Sequence, residues 1–324
     1  MNFEELALEC FDYQSKHNKL YRQFLDIVGM DRSAIQCVED IPCMPISFFK
    51  HHDVMTGDWE SEMVFRSSGT SDQSLRSNHL VADAAFYQDI SSGIFKQFYG
   101  DEGFETFALL PSYLEDGESS LVFMVNHLMN LYNEGSEHRS YLYDHEELHK
   151  QILTCLEEQK RVMLWGVTFA LLDFAQNFDI RHSNLHIMFT GGMKNRRREM
   201  HYDEIYGDLK KSFPLSSIDS EYGMTEMFSQ SYSLDSTEGL YRPGRSLKVM
   251  CKEISDPLSN VSFGKTGQVA FCDLANVDTI SFVQTDDLGL LYPDGRFKIL
   301  GRMSNSDLRG CNLLYQSSAD IMPS

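Results

Sequence analysis

Four hydroxyl side chains and a glycine stand in one run, Ser67-Ser68-Gly69-Thr70-Ser71. Their O–H groups and the neighbouring backbone N–H groups are donors of the kind that cradle phosphate oxygens. Taken alone, such a run is more often an ordinary loop. Farther along, Ser220-Glu221-Tyr222-Gly223-Met224-Thr225-Glu226 places an aromatic ring, a glycine, a hydroxyl and a carboxylate within one turn of chain. Thr285-Asp286-Asp287-Leu288-Gly289 then brings two carboxylates, and Gly301-Arg302 a cation. An aromatic face stacks on adenine, a carboxylate holds ribose hydroxyls, and an acid beside phosphates holds Mg²⁺.

Other local matches lead nowhere. His145-Glu146-Glu147-Leu148-His149 fits the zinc-binding pattern HExxH. Such a site needs a third ligand, and no glutamate occurs between Glu158 and Glu199. The same residues read better as a helix start. Asp144 is an N-cap, with Glu147 three positions on to complete a capping box, and Glu146 and Glu147 lie where the helix dipole favours acids. Leu148, Ile152, Cys155 and Leu156 then form a buried stripe. Gly264-Lys265-Thr266 resembles the end of a Walker phosphate loop, but Ser259 stands where that loop needs glycine.

The elements that must position these residues alternate between helix and strand. Apolar spacing predicts helix over 3–28, with one stripe of Phe3, Leu6, Ala7 and Cys10 and another of Leu20, Phe24 and Val28. A helix over 83–98 closes at Gly100, another starts near Ser119 or Ser120, a third spans 144–159, and a fourth follows Thr168. Short apolar strands fall at 107–110, 162–165 and 185–189, the last leading into Gly191-Gly192. This alternation predicts a mostly parallel sheet flanked by helices. Near residue 250 the character changes to short strands at 268–272 and 280–283. A hairpin follows, turning at Pro293-Asp294-Gly295 between Leu290-Leu291 and Phe297–Leu300. The expected organisation is an α/β body over 1–250, a β-rich part of the same body over 251–314, and a polar tail over 315–324.

The 324 residues suffice for a large core without disulfide staples. A hydrophobic content of 42% and a mean hydropathy of -0.33 exclude a disordered chain. The formal charge of -20 opposes nucleic-acid binding, which runs on lysine and arginine. The basic run Lys194-Asn195-Arg196-Arg197-Arg198 reads as a solvated helix face. No apolar stretch is long enough for a membrane span. The seven cysteines are scattered without a CxxC pair, and the acidic start does not look like an export signal, so the expected compartment is the reducing cytoplasm.

Taken in order, SSGTS, YGMTE, GKTGQVAF, TDDLG and GR resemble the adenylate-forming superfamily of acyl-CoA synthetases, luciferases and peptide synthetase adenylation domains. FALLPSYLEDGESSLVFMV, LWGVTFALLDF, FTGGMK, EYGMTEMFSQSY and LRGCNLL narrow the resemblance to the long-chain acyl-protein synthetases (fatty-acid–protein ligases) of bacterial luminescence operons, from about Pro42 to Leu314. The resemblance implies the α/β large-domain fold of adenylate-forming enzymes, with ATP and magnesium as cofactors. Ser67, Ser68, Gly69, Thr70 and Ser71 would lie over the β- and γ-phosphates. Gly191, Gly192, Tyr222 and Gly223 would frame the adenine, Thr225 would touch the α-phosphate, and Glu226 would hold magnesium. Asp287 would bind the ribose hydroxyls, with Arg302 beside it.

Three departures stand out. Asp72-Gln73-Ser74-Leu75-Arg76 replaces the usual further glycine and lysine of the phosphate loop, and Asp286 replaces a usual glycine. The chain also ends soon after Arg302, so the superfamily's mobile C-terminal lid, with its lysine, is expected to be absent. The activity implied is activation of a carboxylic acid, chiefly a fatty acid, as its adenylate. Transfer to a thiol follows, with Cys311 as acyl carrier and a reductase or acyl-carrier protein as partner. The rival readings are a CoA ligase similar to phenylacetate-CoA ligases and a degenerate, non-catalytic nucleotide-binding protein.

Overall fold

A computed structural model describes residues 2–67, 76–110, 117–133, 140–191 and 200–303. The chain forms two compact units that interleave along the sequence. Met1–Ala84, Glu226–Ser229 and Arg245–Ser324 belong to the first, Ala85–Thr225 and Gln230–Gly244 to the second. The change of character expected near residue 250 falls inside a strand of the first unit, Leu247–Lys252.

The chain opens with α1 (Phe3–His17), α2 (Lys19–Ile27), β1 (Met44–Pro45), α3 (Phe48–His51), β2 (Met63–Arg66) and β3 (Asn78–Val81). It continues with α4 (Ala84–Tyr99), β4 (Glu105–Leu109), α5 (Ser120–Tyr132), α6 (His145–Glu157), β5 (Val162–Val167), α7 (Thr168–Ala175), β6 (Leu185–Thr190), α8 (Tyr202–Ser212), β7 (Ser217–Tyr222), β8 (Ser231–Ser233) and β9 (Arg242–Pro243). It returns to the first unit with β10 (Leu247–Lys252), β11 (Thr266–Asp273), β12 (Phe282–Leu291) and β13 (Phe297–Arg302).

In the second unit the described strands form one sheet in the order β4-β5-β6-β7-β8-β9. β4 to β7 are parallel, and β8 and β9 add on antiparallel. Every residue of β5 is buried, as a strand covered on both faces requires. The parallel sheet expected from helix–strand alternation is therefore present.

In the first unit β12 lies at the middle of a sheet, with β11 and then β10 on one side and β13 and a short parallel β1 on the other. Its core joins Phe11, Tyr21 and Phe24 of the first two helices to Met250, Phe282 and Val283 of the sheet. The expected hairpin turn is present: Leu290 pairs with Lys298, Leu291 with Phe297, and Gly295 takes the positive φ of 80° that the turn needs. β12 extends well past the expected 280–283, carrying the TDDLG run inside the strand.

The single helix expected over 3–28 is two helices. Buried Asn18 leaves helical geometry (φ -93°, ψ 109°), and its side chain accepts from Tyr21 N–H, so it ends α1 and caps α2. The two apolar stripes belong to separate helices. No helix among the described residues is long and apolar enough to cross a membrane.

Candidate functional site

The candidate residues divide between the units. In the first, strand pairing does what spacing could not. Asp287 on β12 stands opposite Arg302 on β13, and Arg302 Nε donates to Asp287 Oδ1 at 3.1 Å. Asp287 is 6% exposed, whereas the Arg302 side chain is 80% exposed, so a sunken carboxylate is tied to a solvent-facing cation. The Asp287 N–H donates to Thr285 Oγ1 at 3.0 Å, which pins the backbone there.

Asp286 is half-buried, and burial raises its pKa against the pull of Lys50 and Arg302, with Asp287 adding to the rise. Glu226, 6% exposed, is likewise pushed up by burial, opposed by Ser77, Lys50 and Arg302. Two carboxyls short of compensating charge thus share the same two cations. Among the described residues no group of three or more His, Cys, Asp or Glu could hold a metal ion by itself, so a divalent cation here would take one carboxylate, such as Glu226, together with phosphate oxygens. Lys50, exposed on the short α3, was passed over in the sequence. The only local signal is a cation directly after Phe48-Phe49, whose second ring is fully buried.

Ser67 closes the neck of the β2–β3 hairpin: its N–H donates to Ser77 O, Ser77 N–H donates to its Oγ, and Arg76 Nε donates to its carbonyl. The next element after the hydroxyl run is a strand, Asn78–Val81, which alternates in burial and pairs with Met63–Arg66. Ser68, Gly69, Thr70 and Ser71, the departure at Asp72, Gly192 and Cys311 lie outside the described residues.

In the second unit, Gly191 and Tyr222 stand at the C-terminal ends of adjacent parallel strands, β6 and β7, where Thr190 pairs with Glu221. Ligands of open α/β sheets bind outside the carboxyl ends of their strands. Gly191 has a φ of 68°, and its carbonyl accepts from Thr168 Oγ1 at 2.7 Å. The Tyr222 ring lies 5.6 Å from that of Tyr241. A Cβ at Gly223 would collide with Glu221 Oε1, so a side chain there would have to displace the Glu221 carboxylate. Glu221, 5% exposed, accepts from Thr190 Oγ1, and burial pushes its pKa up to about 7 despite that bond. Nothing in the sequence singled it out. Thr225 ends this unit, and Glu226 begins the four-residue return to the first.

The HExxH helix is organised as a helix start. Asp144 accepts from Glu147 N–H at 3.1 Å, and Leu148, Ile152, Cys155 and Leu156 are its buried residues. The capping box is only half made, since the Glu147 carboxylate accepts from Gln151 and Lys150 instead. His145 packs edge-on to Phe174, and His149 lies 4.6 Å from the Phe178 ring.

No protein-family model matches the chain, and no curated protein matches it by sequence. Solved structures do. An o-succinylbenzoate coenzyme A synthetase from Bacillus subtilis, in complex with AMP, is similar with a TM-score of 0.55 and 16% identity, over 76% of this chain and 50% of that one. The same synthetase in complex with ATP and magnesium ion matches with a TM-score of 0.52 and 16% identity, over 75% and 50% of the two chains. A 2-hydroxyisobutyryl-CoA ligase in complex with 2-HIB-AMP and CoA matches with a TM-score of 0.65 and 13% identity, over 93% and 74%. The chain thus has the α/β fold of the large domain of adenylate-forming enzymes, and it spans half the length of the synthetase.

Proposed function

We propose that this protein is an ATP-dependent ligase that activates a carboxylic acid as its acyl-adenylate and passes the acyl group to a thiol. The observation that carries the reading is the buried Asp287 paired with Arg302, with Asp286 and Glu226 in the field of the same Arg302, on a fold whose solved relatives hold AMP, or ATP and magnesium ion. In the first step a carboxylate oxygen attacks the α-phosphorus of ATP, the bond to the β-phosphate oxygen breaks, and pyrophosphate leaves. Asp287 is assigned to the ribose hydroxyls, with Arg302 holding its carboxylate in place. Tyr222, Gly191, Gly192 and Gly223 are assigned to adenine, Thr225 to the α-phosphate, and Ser67, Ser68, Gly69, Thr70 and Ser71 to the outer phosphates. Glu226 would hold magnesium, which when bound neutralises phosphate charge. Positioning and charge stabilisation carry this step, since the phosphoryl centre needs little covalent help from the protein.

The finer reading follows the acyl-protein synthetase resemblance: a fatty acid as substrate, Cys311 as the thiol that displaces AMP from the acyl carbon, and a reductase or acyl-carrier protein as recipient. A CoA ligase is the second reading, favoured by the solved ligase in complex with 2-HIB-AMP and CoA. ATP–pyrophosphate exchange across a panel of carboxylic acids tests the common step. No exchange with any acid, in folded protein that binds ATP, would leave the non-catalytic alternative standing. With an active acid, hydroxylamine-sensitive label that stays on the wild type but is lost from Cys311→Ser supports the protein-thiol route. Acyl-CoA formation with no label on protein supports the CoA route.

A further inference from the structure

Glu226–Ser229 is a four-residue segment of the first unit, bounded on both sides by chain of the second. Within the first unit its backbone is gripped by two side chains at the 3₁₀ turn Leu274–Asn276 that follows β11. Asp273 Oδ2 accepts from Phe228 N–H at 3.0 Å and Ser229 N–H at 2.9 Å, while its Oδ1 accepts from Ser229 Oγ at 2.6 Å and Ala275 N–H at 3.0 Å. Asn276 Nδ2 donates to the Glu226 carbonyl at 2.8 Å, and its Oδ1 accepts from Phe228 N–H at 3.1 Å. Both clamping residues are fully buried.

The turn is itself braced from α1. Gln14, fully buried, donates to the carbonyls of Asn276 and Val277 at 3.1 and 3.0 Å and accepts from Ser281 N–H at 3.0 Å. One turn on, Asn18 donates to Thr279 O at 2.9 Å. A helix that buries a carboxamide where a leucine would pack, and ends on a second buried one, is gaining placement of the groups they bond, since a satisfied buried polar network specifies one geometry.

We infer that Asp273 and Asn276 are positioning residues that fix Glu226 for the metal–triphosphate complex, with Gln14 as their brace. The inference rests on the ligase reading through the role of Glu226. A carboxylate whose backbone is held at its own carbonyl and at the next residues presents a preformed ligand, whereas one on a free turn must be ordered each time the metal arrives.

The test uses the full chain and measures ATP binding calorimetrically, once in EDTA and then across a magnesium chloride titration. Asn276→Asp keeps the size but replaces the donor facing the Glu226 carbonyl with an acceptor. In variant shown folded by circular dichroism, the magnesium midpoint should rise at least about tenfold while ATP affinity in EDTA is unchanged. A merely structural role would lower the melting temperature without moving that midpoint. An unchanged midpoint, or an equal loss of affinity in EDTA, overturns the inference. If Asn276→Asp does not fold, Ser229→Ala decides: it removes one donor to Asp273 and leaves the backbone bonds, and the midpoint should rise about two- to threefold. No change there also overturns it. Wild-type protein without magnesium-dependent ATP binding would instead overturn the ligase reading, and this inference with it.

Discussion

Glu221 should make the second unit less stable as pH rises from about 4.5 toward neutrality, opposite to the usual behaviour of a native carboxylate. Its carboxyl is 5% exposed and its pKa stands at about 7, against an ordinary value of 4.5, with burial as the leading cause. Below about pH 4.5 the group is protonated in both folded and unfolded chains and makes no difference. Between there and about pH 7 the folded chain keeps a proton that the unfolded chain has released. Stability therefore falls with pH at somewhat more than 1 kcal/mol per pH unit, to a total of roughly 3 kcal/mol. Glu221→Gln removes the ionisation and keeps a carbonyl oxygen for Thr190. Urea unfolding from about pH 4.5 to about pH 8.5 should show wild type losing roughly 3 kcal/mol relative to the variant. A Trp59→Phe background leaves Trp165, fully buried in the same unit, as the only indole of the chain and the natural probe. Other titrating groups act in both proteins and cancel in the comparison. Parallel stability curves would refute the reasoning, because they would mean that Glu221 is solvated or already ionised in the folded protein.

Asp287→Asn should weaken ATP binding by about 1.5–3 kcal/mol through lost charge-assisted bonds, as read by calorimetry; unchanged affinity would remove the ribose assignment. Glu226→Gln should abolish ATP–pyrophosphate exchange while circular dichroism stays that of wild type, since a metal ligand's charge goes without a change of shape. His145→Ala combined with His149→Ala should retain exchange and cost about 1–3 kcal/mol of stability from lost ring packing on Phe174 and Phe178. Activity lost on chelating stoichiometric zinc would contradict that.

Much of the fold was legible because its signals are local. Asp144 announces α6, and the spacing of Leu148, Ile152, Cys155 and Leu156 announces its buried face. Pro293-Asp294-Gly295 announces the β12–β13 turn, and continuous apolar runs announce the parallel strands. Hydrogen bonds and φ preferences within a few residues suffice for these. The break at Asn18 was not legible: an asparagine in a helical pattern reads as a tolerated polar residue until Thr56 and Thr279 give its amide a buried reason to leave the helix.

The sequence by itself determined which chemistry is available: a hydroxyl run, a tyrosine–glycine turn with Thr225 and Glu226, the acids of TDDLG, and Arg302. Tertiary structure decided what each group became. Pairing of β12 with β13 set Asp287 against Arg302. Packing brought Lys50 into the field of Glu226 and Asp286, and assigned Thr225 and Glu226, neighbours in sequence, to different units. Burial turned Glu221 from an unremarked acid into one that titrates near neutrality. The division has one physical cause. Helix, turn and strand preferences act over a few residues, whereas desolvation and charge coupling depend on whatever the rest of the chain packs alongside.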